Sequence, residues 1–149
     1  MTLGGVAIDC GWLMTLAGKT FDEQFAAMQL VDRMCEQEVP LLLDHDGKIA
    51  AEYDRYFHHG SQGRMILTKL MKRSVSFAHG VPSARCVSAL TADGFDPADL
   101  PYIGVAEHSS GAYLTHEEKH LESDRCSMCL ADCGVIVCGS ADVDRLVTV

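Results

Sequence analysis

Four short apolar runs punctuate the chain, at 3–8 (LGGVAI), 39–43 (VPLLL), 112–114 (AYL) and 134–137 (GVIV). No hairpin signal joins any two of them, so the pattern predicts buried strands of a parallel sheet. Between them the apolar positions change to helical spacing. Phe21, Phe25, Met28, Val31 and Met34 or Cys35 predict an amphipathic helix over 21–38, with Thr20 as N-cap and Glu23 as its capping-box partner. Ile49, Tyr53 and Tyr56 or Phe57 predict a helix over 49–57. Met65, Leu67, Leu70, Met71 and Val75 predict another over 64–78. Shorter helices are predicted over 83–91 and 98–107, and a longer one from Thr115, as N-cap, to about 132, with Glu118 closing a capping box. Strands separated by helices mean an α/β three-layer sandwich around a central parallel sheet of about four strands, in a single domain over 1–149.

Acidic residues recur where strands end and helices begin. Asp9 closes the first run, and Asp44-His45-Asp46-Gly47 follows the second as a turn, with Asp46 expected to cap the next helix. Glu52 lies in the first turns of that helix among small residues, either turned inward or paired on the surface with Arg55. The stretch 99–117, DLPYIGVAEHSSGAYLTHE, reads as helix, tight turn and strand, with Asp99 and Glu117 at its two ends. In open α/β sheets the ligand crevice lies beyond the carboxyl ends of the strands. Asp9, Glu52, Asp99 and Glu117 could therefore meet at one edge. Such a cluster needs cations to stay ionised, and hard oxygen ligands favour Mg²⁺ or Mn²⁺. A divalent ion held this way can activate water for in-line displacement at phosphorus.

Charge sharpens this picture. The 149 residues carry a formal net charge of −9, which argues against a nucleic-acid partner for the chain as a whole. The segment 55–92, however, holds six basic residues and no acidic one. It is +6, and the rest is −15. Arg64, Lys69, Lys72 and Arg73 are candidate phosphate-binding residues, with a solubilising face as the plain alternative. The 48% apolar content is that of a globular chain. No apolar run is long enough for a bilayer, and no export signal is visible, so a cytoplasmic protein without membrane contact is expected. Seven Cys in such a chain suggest free, mostly buried thiols.

Two other chemistries have sequence support. His116-Glu117-Glu118-Lys119-His120 satisfies H-E-x-x-H, the zinc metallopeptidase pattern, but it would start at the first residue of its helix and has no evident third ligand. Cys126, Cys129, Cys133 and Cys138 lie within thirteen residues, without the paired C-x2-C knuckles of zinc ribbons. Buried small hydrophobes, a structural metal and a redox role all stay open for them. His58 and His59 break a helix and could lie near substrate.

Taken together, VAIDCGWLM, GKIAAEYDRYF, DLPYIGVA and AYLTHEE followed by GVIV resemble the PIN-domain family, which includes the toxin ribonucleases of bacterial toxin–antitoxin modules. The resemblance covers nearly the whole chain. It implies a metal-dependent endoribonuclease acting on single-stranded or structured RNA, with Mg²⁺ or Mn²⁺ held by Asp9, Glu52, Asp99 and Glu117. Thr115 matches the Thr that precedes the last acid. It also implies an inhibitory partner protein and pairing into a homodimer. The chain departs from the family pattern at Gly11, commonly a polar residue, and at Glu117, commonly Asp, with Glu118 and Asp142 as substitutes. The alternative it leaves is a catalytically weak or inactive PIN-like module that binds RNA or a protein partner.

Overall fold

The computed structural model describes residues 3–16, 20–115 and 133–138. Five parallel strands form one sheet in the order β3-β2-β1-β4-β5: β1 Val6–Ile8, β2 Leu41–Asp44, β3 Val75–Ala78, β4 Ala112–Leu114 and β5 Ile136–Cys138. Helices flank it: α1 Cys10–Thr15, α2 Phe21–Glu36, α3 Lys48–Tyr56, α4 Gln62–Arg73, α5 Ala84–Ala92 and α6 Leu100–Ser109, the last entered through a 3-10 turn at Pro97–Asp99. Successive strand residues face opposite sides of a sheet. Val6, Ala7 and Ile8 are all fully buried, so both faces are covered at β1. The same holds for Leu41 and Leu42 in β2 and for all of β4.

Helix α6 packs against β1, β2, β3 and β4. Tyr102 to Ala106 are five consecutive buried residues, as a helix apolar on every side requires. It sits close because Gly104 has no side chain: a Cβ there would lie 2.3 Å from the Gly80 carbonyl oxygen. Ser110 ends the helix in the left-handed conformation, as the Ser-Ser-Gly turn suggested. Helix α2 lies beside α4, joined by the Asp32–Lys69 ion pair and by Arg73 Nε donating to the Cys35 carbonyl at 3.1 Å. No described helix is long and apolar enough to cross a membrane.

The structure departs from the pattern in four places. The segment 64–78 is not one helix: α4 ends at Arg73, and Val75–Ala78 is the edge strand β3, paired with β2 from Leu41–Val75 to Asp44–Ala78. The sheet therefore has five strands, not four. In α2 the buried face is Ala27, Leu30, Val31 and Met34, whereas Phe21 and Phe25 are exposed and stack on each other at 6.2 Å. Both faces fit helical spacing, and the one filled by aliphatic residues faces the core. In α4 the buried residues are Gly63, Ile66, Leu67 and Leu70, and Met65 is exposed. The N-cap position of α3 is Gly47, and the side chain that serves the helix start is Asp44, not Asp46: its buried carboxylate accepts from Lys48 N (3.0 Å) and Ile49 N (2.8 Å), using two donors that the helix start leaves open.

A further correction concerns the thiols. Cys86 in α5 is disulfide-bonded to Cys133 just ahead of β5, while Cys10 and Cys35 are free. Cys126 and Cys129 lie outside the described residues. Closing a loop of 47 residues' separation is worth about 4 kcal/mol in the chain-entropy model. Reduction, or Cys86→Ser, is therefore expected to lower the free energy of unfolding in urea by up to that amount. Peptide mapping without reductant checks the pairing directly, since it must recover the Cys86 and Cys133 peptides linked.

Candidate carboxylate site at the switch point of the sheet

The strand order dictates where the site lies. From β1 the chain moves outward through β2 to β3, then returns to the other side of β1 for β4 and β5. The order reverses between β1 and β4, and the crevice beyond their carboxyl ends is the general binding position of such sheets. The register pairs Ile8 with Leu114, so the next residues, Asp9 and Thr115, stand side by side. Asp9 N donates to the Leu114 carbonyl at 3.0 Å, extending the ladder by one bond. The Thr115 hydroxyl donates to Asp9 Oδ2 at 3.1 Å, and Gly11 N to Oδ1 at 3.3 Å. Asp9 is thus both the N-cap of α1 and a buried acid at the switch point.

Glu52 comes to this place on α3. The neighbouring Tyr53 is fully buried, and its hydroxyl donates to the Ile8 carbonyl at 2.6 Å, which fastens α3 to the end of β1. Glu52 is half-buried, with the Cys10 thiol and the Tyr102 hydroxyl as polar neighbours, themselves 3.4 Å apart. Burial pushes its carboxyl above the ordinary value. The polar Cys10 and Tyr102 groups oppose this, and the charge of Asp9 adds to it. Burial also pushes the Cys10 thiol up to about 12, with Glu52 and Asp9 contributing, so this sulfur is a neutral thiol near pH 7. The Tyr53 and Tyr102 phenols are raised for the same first reason.

Asp99 stands at the start of α6, one helical turn before Tyr102, and is partly exposed. Among the described residues no three His, Cys, Asp or Glu side chains converge on a point that could hold a metal ion. Glu117, together with His116, Glu118, His120 and Asp142, lies outside the described residues. The structure therefore brings Asp9, Glu52 and Thr115 together, with Cys10 and Tyr102 as neighbours that the pattern of acids did not single out. Tyr102 had one available signal, its place a helical turn after Asp99. Cys10 had only its adjacency to Asp9.

The basic residues divide between two locations. Arg64, in the first turn of α4, clasps the end of α3: Nε donates to the Phe57 carbonyl at 2.9 Å, and Nη2 to the Tyr53 carbonyl at 3.1 Å and to Asp54 at 2.8 Å. A cation at a helix C-terminus is favourable for capping and dipole reasons alike. Lys69, Lys72 and Arg73 are about 8–13 Å further along α4, in turns that lead into the amino end of β3. They lie toward the sheet edge opposite Asp9. A groove of about 540 Å³ runs along α4, lined by residues including His59, Arg64, Lys69 and Lys72.

No protein-family model, curated protein or solved structure matches the chain.

The raised carboxyl of Glu52 has a stability consequence. A folded-state pKa above the unfolded value penalises the native state once the group ionises. The penalty is complete above the raised value and disappears below the ordinary 4.5. In chelator, Glu52→Gln is therefore expected to stabilise the protein at pH 7 by a few tenths of a kcal/mol, solvent screening keeping the figure small. The gain should vanish as the pH falls below 4.5. Urea unfolding of both proteins across this range is the measurement.

Proposed function

We propose that the chain is a PIN-like, divalent-metal-dependent endoribonuclease whose Mg²⁺ or Mn²⁺ site is built around Asp9 and Glu52. The supporting observation is that two carboxylates on different elements share the switch point, where the charge of Asp9 already disfavours ionised Glu52. Hard oxygen donors held against their own repulsion suit a hard divalent cation. The donor set therefore fits the group. Asp9 and Glu52 would hold the ion, with Asp99 and Glu117 completing the oxygen ligands. When bound, the ion would supply Lewis-acid activation of water and of a phosphoryl oxygen.

The chain's own residues have definable parts in this reading. The Thr115 hydroxyl fixes one Asp9 oxygen, leaving each oxygen a further lone pair for a cation. Tyr53 fastens α3, which carries Glu52, to the end of β1 through the Ile8 carbonyl. The groove along α4 offers Lys72 to a phosphate backbone, whereas Lys69 is paired with Asp32 and Arg73 donates to the Cys35 carbonyl, so a phosphate would have to compete with those partners. Arg64 contributes through the conformation of α3, because its donors are committed there.

Asp9→Asn keeps the cap and the approximate shape. It is expected to reduce Mn²⁺-dependent cleavage of single-stranded RNA by at least about 100-fold, the scale on which losing one charge-stabilising group is felt. Unfolding measurements should show the variant still folded. Wild-type cleavage in Asp9→Asn would remove the assignment. In EDTA, Lys72→Ala is expected to weaken RNA binding and to lower the slope of log affinity against log salt by about 1.

The second reading is a PIN-like module that binds RNA or a protein without cutting. It is favoured by the absence of a third converging ligand among the described residues. RNA binding in EDTA, with no cleavage in Mn²⁺ at any concentration, would select it.

A further inference from the structure

We propose that the cavity at the start of α5 binds a small zwitterionic thiol, an amino-acid or peptide thiol, which exchanges with the Cys86–Cys133 disulfide and becomes bonded to Cys133. This site shares no residue with the carboxylate site and does not depend on it.

The cavity has a volume of about 320 Å³, at the lower end of the range for small-molecule sites, and Ser83, Arg85, Cys86, Glu107 and Cys133 are among its lining residues. The disulfide is thus part of its wall. Its two cysteines are unequally covered: Cys86 is 1% exposed, whereas Cys133 is partly exposed. Two charges of opposite sign line the same space. The Glu107 carboxylate is fixed, accepting from Ser83 N at 2.7 Å and from the Ser83 hydroxyl at 2.8 Å. Ser83 is the N-cap of α5, and its hydroxyl oxygen accepts from Cys86 N at 3.3 Å. The carboxylate is therefore tied to the turn that carries the disulfide. Arg85 is exposed, and its guanidinium has no partner among the described residues. A fixed carboxylate and an uncommitted guanidinium in one small cavity match a ligand that carries an ammonium and a carboxylate.

The thiol of such a ligand meets the disulfide. Its thiolate attacks Sγ of the more exposed cysteine, Cys133. The new sulfur–sulfur bond forms there as the bond to Cys86 breaks. The electron pair leaves on Cys86 Sγ, which takes up from water the proton that the incoming thiol released. One disulfide and one thiol become another disulfide and another thiol, so no further oxidant or reductant is needed. Position makes Cys86 the better leaving group. It is the third residue of α5, in the turn where backbone N–H groups favour an anion, and Arg85 precedes it. Exchange would release α5 from the residue just ahead of β5 and open the ring closed over 86–133.

The test treats the oxidised full chain, under nitrogen, with an excess of reduced glutathione, cysteine, N-acetylcysteine or mercaptoethanol. Each rate is divided by that of the same thiol on a short exposed peptide disulfide, which removes differences in intrinsic reactivity. Acid quenching and peptide mapping by mass spectrometry give the rate and the position. One adduct per chain is expected, on the Cys133 peptide, with Cys86 as the free thiol. Glutathione and cysteine should outpace mercaptoethanol by about 3-fold for each ion pair made, the scale of an exposed pair. N-acetylcysteine, which lacks the ammonium, should lose the share due to Glu107, and Glu107→Gln should bring cysteine down to its level. Whichever of glutathione and cysteine reacts faster names the source. Adducts recovered on Cys86 overturn the proposal. So do relative rates that ignore the thiol's charge in the wild-type chain, a result that needs no variant to fold. A chain isolated without reductant that lacks the Cys86–Cys133 link overturns it as well.

Discussion

Strand β1 is hydrogen-bonded on both sides, to β2 and to β4, and its central position governs what the rest of the chain can do. Three residues buried on both faces leave no room for a polar group until the strand ends, and the first polar position is Asp9. There the ladder stops, α1 begins, and the strand order reverses. One carboxylate therefore caps a helix, meets Thr115 across the register and faces the crevice. The surrounding elements converge on the same strand end: Tyr53 bonds to Ile8, Cys10 opens α1, and Tyr102 reaches the Cys10 thiol from α6.

Two strand-end aspartates illustrate how surroundings separate similar residues. Asp44 ends β2 as Asp9 ends β1, and it too is buried. Both of its oxygens are taken by backbone donors of α3, so it acts as a cap. Asp9 has one backbone donor and one hydroxyl, and a second carboxylate close by. In the sequence both follow an apolar strand, and the physical difference lies in what β4 and α3 bring near.

The parallel α/β architecture, the central strands, the cap at Thr20 and the turn around Ser110 follow from features legible in the sequence, whereas the pairing of Asp9 with Thr115 depends on the register of β1 against β4. Unbroken apolar runs and capping residues act locally, so they can be seen without the fold. Strand β3 could not be seen this way. Leu67, Leu70 and Met71 continue to Val75 at helical spacing, and only pairing with β2 makes Val75–Ala78 extended. Being an edge strand, it lacks the uniform apolarity that marks β1 or β4. The stripe of α2 was ambiguous because aromatic and aliphatic faces have the same period. The contribution of Tyr102 and Cys10 was hidden for a different reason: their contact spans 92 residues of sequence. The committed donors of Arg64 were equally hidden, since charge in a sequence carries no record of its partners.

The Cys86–Cys133 bond divides the chain into covalent compartments that do not coincide with the layers of the fold. Asp9, Cys10 and Glu52 precede the ring it closes, whereas Asp99, Tyr102 and Thr115 are within it. Every side-chain contact between these two sets is thus a contact between an open arm and a cyclic body. A single peptide-bond nick anywhere between the two cysteines would open the ring without releasing a fragment. The oxidised molecule would stay one covalent piece, and the two halves of the crevice would remain tethered to each other through sulfur.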